Sequence, residues 1–369
     1  MSTAEEVETA EKAIKKRKAT KNQIKPTDWL STGNTLLNLA CSDKRIGGFA
    51  KGLYYFFVGD SSSGKTFLTL TCFAEATRNP EFENYRLIYD NVENGALMNL
   101  SKYFGKKAAR RIEAPAMKDG EEVSSETIED FYYNIDDAIK DGRPFIYVLD
   151  SMDGLSSESE VKHFETLKKK KKKTATKDDE KTKGSYGDGK AKMNSQRLRR
   201  VVAALKKTGS ILIIICQTRD NIGFDAMFNP KTRSGGKALK FYAALEIWTS
   251  IKGRIKKKIK ERDRSIGIYV QCTVKKNRQS GKDRSVVIPL YHDYGLDDIG
   301  SNIDYLVQEK HWSGDKGKIS ATDYEVKMSR DKLIQYIEEN NLEDDLRDIV
   351  ETVWHEIEDQ LKLDRKPKY

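Results

Sequence analysis

Residues 53–66 join a short apolar run to a glycine-bounded loop, and this junction constrains the fold more than any other segment. The run LYYFFVGD (53–60) is as rich in apolar residues as a strand buried on both faces of a parallel sheet. The stretch FLTLTCFAEAT (67–77), which follows the loop, predicts a helix. The loop between them matches the pattern G-x-x-x-x-G-K-[ST] in full, with the residues Gly59, Asp60, Ser61, Ser62, Ser63, Gly64, Lys65 and Thr66. A strand, such a loop and a helix in this order indicate a binding site for phosphate groups.

The residue types of this loop suit a nucleoside triphosphate. Glycines allow the backbone to curl so that its N–H groups point at phosphate oxygens, and the helix N-terminus adds the positive end of its dipole. Lys65 is expected to neutralise the β- and γ-phosphates, and the Thr66 hydroxyl is expected to ligate Mg²⁺. The sequence therefore predicts ATP and Mg²⁺ as cofactors.

Polar residues at the ends of three other apolar runs complete the candidate site. Asp150 ends a strand, and a carboxylate beside a phosphate loop can hold the Mg²⁺ shell. Glu93 follows another strand and can polarise the water that attacks the γ-phosphate, although Asp90 competes for this role. Gln217 can report the γ-phosphate to the loop that follows it, or it is an ordinary polar residue at a strand end.

Apolar strands and helical segments alternate along the chain. Strands are predicted at 53–60, 85–90, 144–150 and 210–217, and helices at 67–77, 128–139 and 195–209. This alternation predicts an α/β fold with a mostly parallel sheet. Two later runs, at 265–277 and 283–292, predict an antiparallel hairpin at the sheet edge.

The domain organisation follows from composition. The 369 residues include 37% hydrophobic and 34% charged positions, so charge-rich segments must accompany the core. We predict a polar N-terminal helix and linker over 1–32, and this helix is either frayed or docked on a neighbouring subunit. An ATPase core follows over 33–296, and a small C-terminal domain with helices at 329–340 and 342–362 covers 297–369.

A lysine-rich segment at 157–192 interrupts the core. Lys168 to Lys173 are six consecutive lysines, and we expect the segment to be a mobile insertion because it repels itself and lacks apolar residues. It is either a solvated loop or a contact for the backbone of nucleic acid.

Charge and residue usage exclude several classes. The formal net charge of +10 favours a polyanionic partner, although a merely soluble basic protein would carry it too. No apolar run reaches the ~20 residues of a membrane span, and the N-terminus has no apolar signal core. The 4 cysteines and 4 histidines are dispersed, which indicates reduced thiols and no side-chain metal cluster. We expect a cytoplasmic protein, in the host cytoplasm if it is phage-encoded.

Longer segments resemble the RecA family. The stretch 217–243, which contains SGGKALKFYA, is similar to that family's second DNA-binding loop and the helix after it. Segments similar to the rest of the family's core and to its C-terminal domain occur in the family's order, at 33–70, 148–155, 274–281, 289–295 and 311–319. The resemblance covers about residues 30–360. It implies a RecA-like P-loop ATPase core with a mostly parallel central sheet, a short N-terminal helical segment and a small C-terminal α+β domain. The shortened N-terminus, low apolar content and lysine-rich segment resemble the divergent phage (UvsX-like) type.

The resemblance also implies roles for individual residues. Glu93 takes the place of the catalytic glutamate, and Gln217 that of the γ-phosphate sensor. Lys276 and Arg278 match two cations that reach across a filament interface to the neighbour's ATP. Tyr291 matches an aromatic residue near the neighbour's adenine.

Two DNA-contacting loops are implied, at 184–192 and about 219–236. Tyr186, Lys192 and Arg199 are the candidates in and after the first loop. In the second loop, Arg219, Lys231 and Arg233 are implied to contact phosphates, and Phe228 is implied to pack against bases or wedge between them. The glycines Gly235 and Gly236 are implied to leave this loop free to order only on DNA. The family's Asp and Tyr near the adenine are replaced here by Leu97 and Leu100.

The leading hypothesis is a DNA-dependent ATPase that forms homo-oligomeric helical filaments on single-stranded DNA. Such a recombinase pairs its strand with homologous double-stranded DNA and promotes strand exchange in recombination and repair. Single-strand-binding and loading proteins are candidate partners, and no membrane is expected. Two alternatives remain, a ring-forming helicase or DNA motor on the same core, and an accessory DNA-binding protein that uses ATP only as a switch.

Overall fold

A large sheet forms the centre of the protein in a computed structural model that describes residues 25–95, 97–171, 188–220, 231–233 and 235–366. The strands are β1 (Trp29–Leu30), β2 (Phe49–Ala50), β3 (Tyr54–Gly59), β4 (Arg86–Asn91), β5 (Ile112–Glu113), β6 (Ala116–Lys118), β7 (Glu121–Val123), β8 (Phe145–Asp150), β9 (Ile211–Asp220), β10 (Lys231–Arg233), β11 (Leu245–Ile259), β12 (Arg262–Asn277), β13 (Ser285–Tyr291), β14 (Gly295–Leu296), β15 (Ser313–Asp315), β16 (Lys318–Ala321) and β17 (Val326–Met328).

Ten of these strands form the central sheet, in the order β14-β13-β12-β11-β3-β9-β8-β4-β5, with β10 paired to β9. The strands from β11 through β3, β9, β8 and β4 to β5 run parallel. An antiparallel edge of β12, β13 and β14 follows β11. The predicted α/β class and mostly parallel sheet are confirmed, as is the predicted hairpin, which is β12 and β13.

The apolar runs correspond to strands that are covered on both faces. Every residue of β3 and of β8 is buried. Alternate side chains of β3 enter different cores, Tyr55 and Phe57 on one face and Tyr54 and Phe56 on the other. A parallel strand with helices on both sides must be apolar on both faces, which is why a continuous run predicted it.

Helices cover both faces of the sheet. They are α1 (Thr35–Ser42), α2 (Lys65–Arg78), α3 (Leu100–Arg111), α4 (Ile128–Lys140), α5 (Glu158–Lys171), α6 (Asp188–Thr208), α7 (Lys237–Tyr242), α8 (Asp298–Gln308), α9 (Arg330–Glu339) and α10 (Glu343–Gln360). One core contains apolar residues of α1, α2, α3 and α8–α10, and the other contains those of α4, α6 and α7. Among the helices of the described residues, none combines the length and apolar character that a bilayer span requires.

Strands β11 and β12 form a long two-stranded ribbon, although no strand was predicted at the position of β11. Only Leu245–Thr249 of β11 also pair with β3, whereas pairing with β12 continues to Ile259. The ribbon therefore extends past the carboxyl edge of β3. Lysines break the apolar alternation of β11, and pairing with β12 overrides its weak strand propensity.

The lysine-rich segment differs from its prediction because α5 is helical over Glu158–Lys171. The helix starts with a reciprocal cap, in which Ser157 N donates to Glu160 Oε2 at 2.8 Å and Glu160 N donates to Ser157 Oγ at 3.3 Å. Lys162 also pairs with Glu158, one turn away. These local contacts offset charge repulsion at the start of the segment, while residues 172–187 lie outside the described residues.

The C-terminal region combines three helices with the small antiparallel sheet β15–β17, which are the kinds of element predicted after residue 297. Its buried Trp312, Val350 and Trp354 belong to the same apolar core as α1 and α2. Residues 1–24, which include the predicted N-terminal helix, lie outside the described residues.

An ion-pair cluster joins α10 to the β12–β13 connection. Glu358 is buried and accepts hydrogen bonds from Arg284 Nη2 at 2.8 Å and from Lys282 Nζ at 2.9 Å. The hydrogen bonds from Arg284 lower the pKa of Glu358 to about 2. The cluster is thus charged throughout the physiological pH range and ties the C-terminal helix to the sheet edge.

We predict that Glu358→Gln lowers the free energy of unfolding by about 1–3 kcal/mol, because two cations lose a charged acceptor. Since the pKa is lowered in the folded state, this stabilisation is present above the usual glutamate pKa of about 4.3 and disappears as the pH falls toward 2. Chemical denaturation at pH 7 and pH 3 measures both effects. Glu356→Gln, on an exposed position of the same helix, is the matched control and should change little. Equal effects of the two substitutions at pH 7 would contradict the assignment.

Candidate nucleotide site and nucleic-acid interface

The phosphate loop, residues 59–66, connects β3 to α2 at the carboxyl edge of the parallel strands. Its turn requires left-handed backbone at Ser62 and Gly64, with φ of 60° and 84°. A Cβ at Gly59 would lie 2.2 Å from Thr249 Oγ1, so the loop can approach β11 only with glycine there. Ser63 Oγ and Thr249 Oγ1 share a hydrogen bond of 2.7 Å. The neighbouring strand therefore fixes the shape of the loop.

A cavity of about 370 Å³ lies above this loop, within the size range of small-molecule sites. Its lining brings together nine of the predicted residues, which are Ser61, Ser62, Ser63, Gly64, Lys65, Thr66, Glu93, Asp150 and Gln217. A larger cavity of about 680 Å³ lies between the base of the ribbon and α10, and no phosphate-loop residue lines it.

Lys65 supplies the positive charge of the cavity. Its side chain is buried, and Nζ donates to the carbonyl oxygens of Gly59 at 2.9 Å and Asp60 at 2.6 Å. Burial lowers the pKa of Lys65, while Asp150 and Glu93 act in the opposite direction. The ammonium group therefore lies at the loop backbone, where a bound phosphate would be cradled.

Thr66 and Asp150 form the candidate magnesium site. Thr66 Oγ1 donates to Asp150 Oδ2 at 2.6 Å, and Tyr89 Oη donates to the same oxygen at 3.1 Å. Burial raises the pKa of Asp150, which a bound cation would reverse. The described residues contain no group of three side chains that could hold a metal alone. A hydroxyl and a carboxylate that leave the other positions to phosphate and water fit Mg²⁺.

Glu93 and Gln217 contact each other at the mouth of the cavity. Gln217 Nε2 donates to both carboxylate oxygens of Glu93 at 3.0 Å, and Ser151 Oγ donates to Oε1. Asp90, the competing carboxylate, is buried and accepts hydrogen bonds from Ser125 and Tyr147. Asp90 does not line the cavity, so the geometry favours Glu93 as the residue that faces a nucleotide.

Asp60 links the phosphate loop to the second candidate DNA loop. Its carboxylate accepts hydrogen bonds from Thr218 Oγ1, just before that loop, and from Lys231 Nζ, within it. These two hydrogen bonds lower the pKa of Asp60. The motif G-x-x-x-x-G-K-[ST] accepts any residue at the position of Asp60. The only signal for this contact in the sequence was therefore the aspartate itself.

Two basic residues near the second loop are exposed, and a third is not. Arg219 is largely exposed beside Asp153, and Lys231 is partly exposed. Arg233 instead points inward, where its Nε lies 3.3 Å from Oε1 of the buried Glu246. In this conformation Arg233 is engaged by a protein carboxylate and not available to a phosphate.

Gly235 and Gly236 allow close packing against α6, whereas the resemblance implied that they leave the loop free to order on DNA. Both have positive φ, 81° and 80°. A Cβ at Gly236 would lie 2.8 Å from the Cβ of Ala191, and Asn194 Nδ2 donates to Gly235 O at 2.9 Å. The end of the second loop is thus held against α6.

Helix α6 also carries the basic candidates that follow the first loop. Lys192 and Arg199 are exposed and lie seven residues apart, so they share one stripe of the helix. The structure therefore places the regions after both loops side by side. Tyr186 and Phe228 lie outside the described residues.

Lys276 and Arg278 lie at the opposite edge of the sheet from the phosphate loop. Leu245, the first residue of β11, pairs on one side with Tyr55 near the amino end of β3 and on the other side with Asn277 of β12. Asn277 lies between Lys276 and Arg278 in the chain, so both cations lie at this amino edge. Nζ of Lys276 and Nη2 of Arg278 donate to Phe241 O at 2.9 and 2.8 Å. Partial burial and the neighbouring Arg278 lower the pKa of Lys276 to about 8. The two cations cannot reach the phosphate loop of their own chain.

Tyr291 lies at the opposite edge of the sheet from Lys276 and Arg278. It pairs with Gly267 and Gly295, and a Cβ at Gly295 would lie 2.8 Å from Cζ of Phe67, the residue after the phosphate loop. Tyr291 therefore lies at the same edge of the sheet as the phosphate loop of its own chain, whereas the resemblance implied a place near the neighbour's adenine.

A phosphate loop between a strand and a helix, with carboxylates from neighbouring parallel strands at the same edge, defines a nucleotide-binding protein of the P-loop class. Residues 174–297 match the family model of the RecA N-terminal domain. The chain is 29% identical over 290 residues to Protein RecA of Cytophaga hutchinsonii, covering 76% of this chain and 68% of that protein.

Two further relatives extend this similarity along the chain. Protein RecA of Acinetobacter baylyi is 25% identical over 326 residues, which cover 86% of this chain and 80% of the relative. Protein RecA of Thioalkalivibrio sulfidiphilus is 27% identical over 291 residues, covering 78% and 72%. Together these matches show that the chain is similar to RecA proteins over most of its length.

Proposed function

We propose that this protein is an ATP-dependent recombinase that polymerises on single-stranded DNA and promotes homologous pairing and strand exchange. One observation carries the proposal, namely that the phosphate loop and the basic residues Lys276 and Arg278 occupy opposite edges of one sheet. The phosphate loop lies at the carboxyl edge, and Lys276, Arg278 and the exposed Phe241 lie at the amino edge. Surfaces that differ in this way join head to tail, and head-to-tail contacts that do not close into a ring form helical filaments.

The cavity residues suit hydrolysis of ATP. Lys65 and the N-terminus of α2 offset phosphate charge, and the Glu93 carboxylate can accept a proton from the attacking water. Mg²⁺ held by Thr66 and Asp150 would supply further charge neutralisation on the phosphate oxygens. In the proposed site Tyr291 contacts the nucleotide base.

Lys276 and Arg278 would act on the nucleotide of the adjacent subunit. Their positive charge stabilises negative charge that develops on the transferred phosphoryl group, as arginine fingers do. Because the partners come from two chains, hydrolysis would depend on assembly. Their hydrogen bonds to Phe241 O hold both cations beside an exposed aromatic ring that can pack on a neighbour.

A continuous set of contacts connects the cavity to the DNA loop. Gln217 contacts Glu93 through its side chain, and its backbone N–H donates to Asp153 Oδ2 at 2.7 Å. Arg219 lies 3.5 Å from the same Asp153. The γ-phosphate of ATP at the cavity and a DNA phosphate at the loop would therefore both act on this set of contacts. Binding of ATP would in this way change the affinity for DNA, and binding of DNA would change the affinity for ATP.

The finer parts of the proposal rest on sequence. We place the protein in the phage-type branch because the lysine-rich segment accompanies low identity to bacterial relatives, 29% for Cytophaga hutchinsonii. Double-stranded DNA, single-strand-binding proteins and loading proteins are the proposed partners, and the cytoplasm is the proposed compartment. A ring-forming motor remains the second candidate, because head-to-tail contacts can also close.

The deciding experiment measures ATP hydrolysis with and without single-stranded DNA and images the same samples by negative-stain electron microscopy. We expect stimulation by DNA together with helical filaments. Lys65→Ala should abolish both, because the phosphate charge loses its cation, and the exposed Lys106→Ala is the control. Closed rings would favour the motor, and absence of both stimulation and assembly would contradict the recombinase.

Glu93→Gln should reduce ATP turnover about 10²–10⁴-fold, because the amide cannot accept the proton of the attacking water. Nucleotide affinity should remain close to that of the unaltered protein, since Lys65 and Thr66 are intact. Steady-state turnover and fluorescent-nucleotide titration separate the two quantities. Glu356→Gln serves as the control, and turnover that stays high in Glu93→Gln would remove the glutamate from the reaction.

A mixing experiment tests action between subunits. A Lys276→Ala, Arg278→Ala double variant keeps its own phosphate loop but lacks the trans cations, whereas Glu93→Gln keeps the cations. Each alone should hydrolyse ATP poorly. A mixture should regain part of the activity, because some double-variant sites then face a Glu93→Gln neighbour. A mixture no more active than the sum of its components would contradict a shared site.

A further inference from the structure

A buried carboxylate, that of Glu246, engages the basic strand β10. Glu246 is 1% exposed and is the second residue of β11, where it pairs with Phe56 of β3. Its Oε1 lies 3.3 Å from Arg233 Nε, and its Oε2 lies 3.4 Å from Lys240 Nζ. One carboxylate thus contacts a cation of the second candidate DNA loop and a cation of α7.

Charge alone holds Arg233 and Glu246 together. Within the described part of the chain, neither carboxylate oxygen of Glu246 accepts a hydrogen bond, and Arg233 Nε donates none. The buried Glu358, by comparison, accepts hydrogen bonds at 2.8 and 2.9 Å. A buried charge without hydrogen bonds recovers only part of the free energy lost on leaving water. The pair of Arg233 with Glu246 is therefore weaker than the cluster at Glu358, and another anion can replace the carboxylate.

Two groups remain beside Glu246 when Arg233 leaves. Lys240 Nζ stays within ion-pair distance of the carboxylate. The Tyr54 hydroxyl is buried, interacts electrostatically with Glu246 and has no hydrogen-bond partner among the described residues. Burial raises the pKa of Tyr54 well above its usual value, so this hydroxyl stays protonated and can donate. Departure of Arg233 therefore does not leave an unpaired buried charge, which would be strongly unfavourable.

The other cation of β10 is also held by a carboxylate. Lys231 pairs with Asp60 of the phosphate loop. Side chains two residues apart on a strand point to the same side, so Lys231 and Arg233 share one side of β10. Both cations of this strand are therefore engaged by protein anions in this conformation.

We propose that Glu246 retains Arg233 while the protein is free of DNA and gives it up to a phosphate of single-stranded DNA. Carboxylates and phosphates are both anions that match the fork of N–H donors on a guanidinium group. DNA must therefore compete with Glu246, and the ion pair lowers the affinity of the second loop for DNA. The inference rests on the proposed function, because it requires that this loop contacts DNA.

A purely structural ion pair would have the opposite effect on DNA binding. If the pair only held β10 against β11, its removal would loosen the second loop, and the affinity for DNA would fall or stay the same. Retention of Arg233 predicts a rise in affinity, because DNA no longer competes with a carboxylate. The sign of the change separates the two roles.

The test is Glu246→Gln, which keeps the shape of the side chain and removes its charge. Fluorescence anisotropy gives the affinity for a labelled single-stranded oligonucleotide with ATP at one fixed salt concentration. We expect the affinity to rise about 5–20-fold, within the range of couplings between two sites. The matched control is Glu356→Gln, which removes the same charge from an exposed position of α10 and should leave the affinity unchanged.

A double-mutant cycle with Arg233→Gln shows whether the gain acts through Arg233. The variant that combines Glu246→Gln with Arg233→Gln should lose the whole gain and bind DNA like Arg233→Gln alone. Thermal unfolding followed by circular dichroism shows which variants are folded. Should Glu246→Gln fail to fold, Glu246→Asp keeps the charge but lengthens the ion pair, and it should raise the affinity by a smaller factor.

The outcomes distinguish this inference from the proposed function. No binding of single-stranded DNA by the unaltered protein would contradict both. Binding by the unaltered protein, with an equal or lower affinity in Glu246→Gln, would overturn only the retention of Arg233. A gain that persists without Arg233, or that also occurs in Glu356→Gln, would overturn it as well.

Discussion

The parallel pairing of β3 between β9 and β11 is the constraint on which the rest of the site depends. This pairing brings Gly59 into register with Gln217 on one side and Thr249 on the other. The start of the phosphate loop, the candidate γ-phosphate sensor and the base of the ribbon therefore lie in one row across the sheet. A change of register by one residue would turn every side chain of β3 toward the other core and remove this alignment.

The fold could be predicted from sequence where one physical requirement dominated. Strands such as β8 and β9 are covered on both faces, so each appears as a continuous apolar run. Strand β11 could not be predicted in this way, because its outer half is exposed and its conformation depends on β12. The sequence could indicate which residues line the candidate cavity because several of them follow directly after these apolar runs. Contacts between segments that are distant in sequence leave no periodic pattern of apolar residues, so they could not be predicted. The ion pair of Arg233 with Glu246 is an example, because it turns inward a basic residue that was expected to be exposed.

Hydrogen bonds and close packing link the candidate nucleotide cavity to the candidate DNA surface. Asp60 lies in the phosphate loop and accepts hydrogen bonds from Thr218, just before the second loop, and from Lys231, within it. Gly235 and Gly236 hold the far end of that loop against α6. The described parts of this loop are thus held by contacts whose strength depends on local charge and fit.

In the proposed head-to-tail polymer, the placement of Lys276 and Arg278 opposite the phosphate loop would define a direction. At one end of such a polymer, the last subunit exposes a phosphate loop that no neighbour completes. At the other end, the last subunit exposes two cations and Phe241 without a nucleotide to contact. The two ends are chemically different, so subunits would be gained and lost at unequal rates. The polarity of growth would then follow from the order of strands in one sheet.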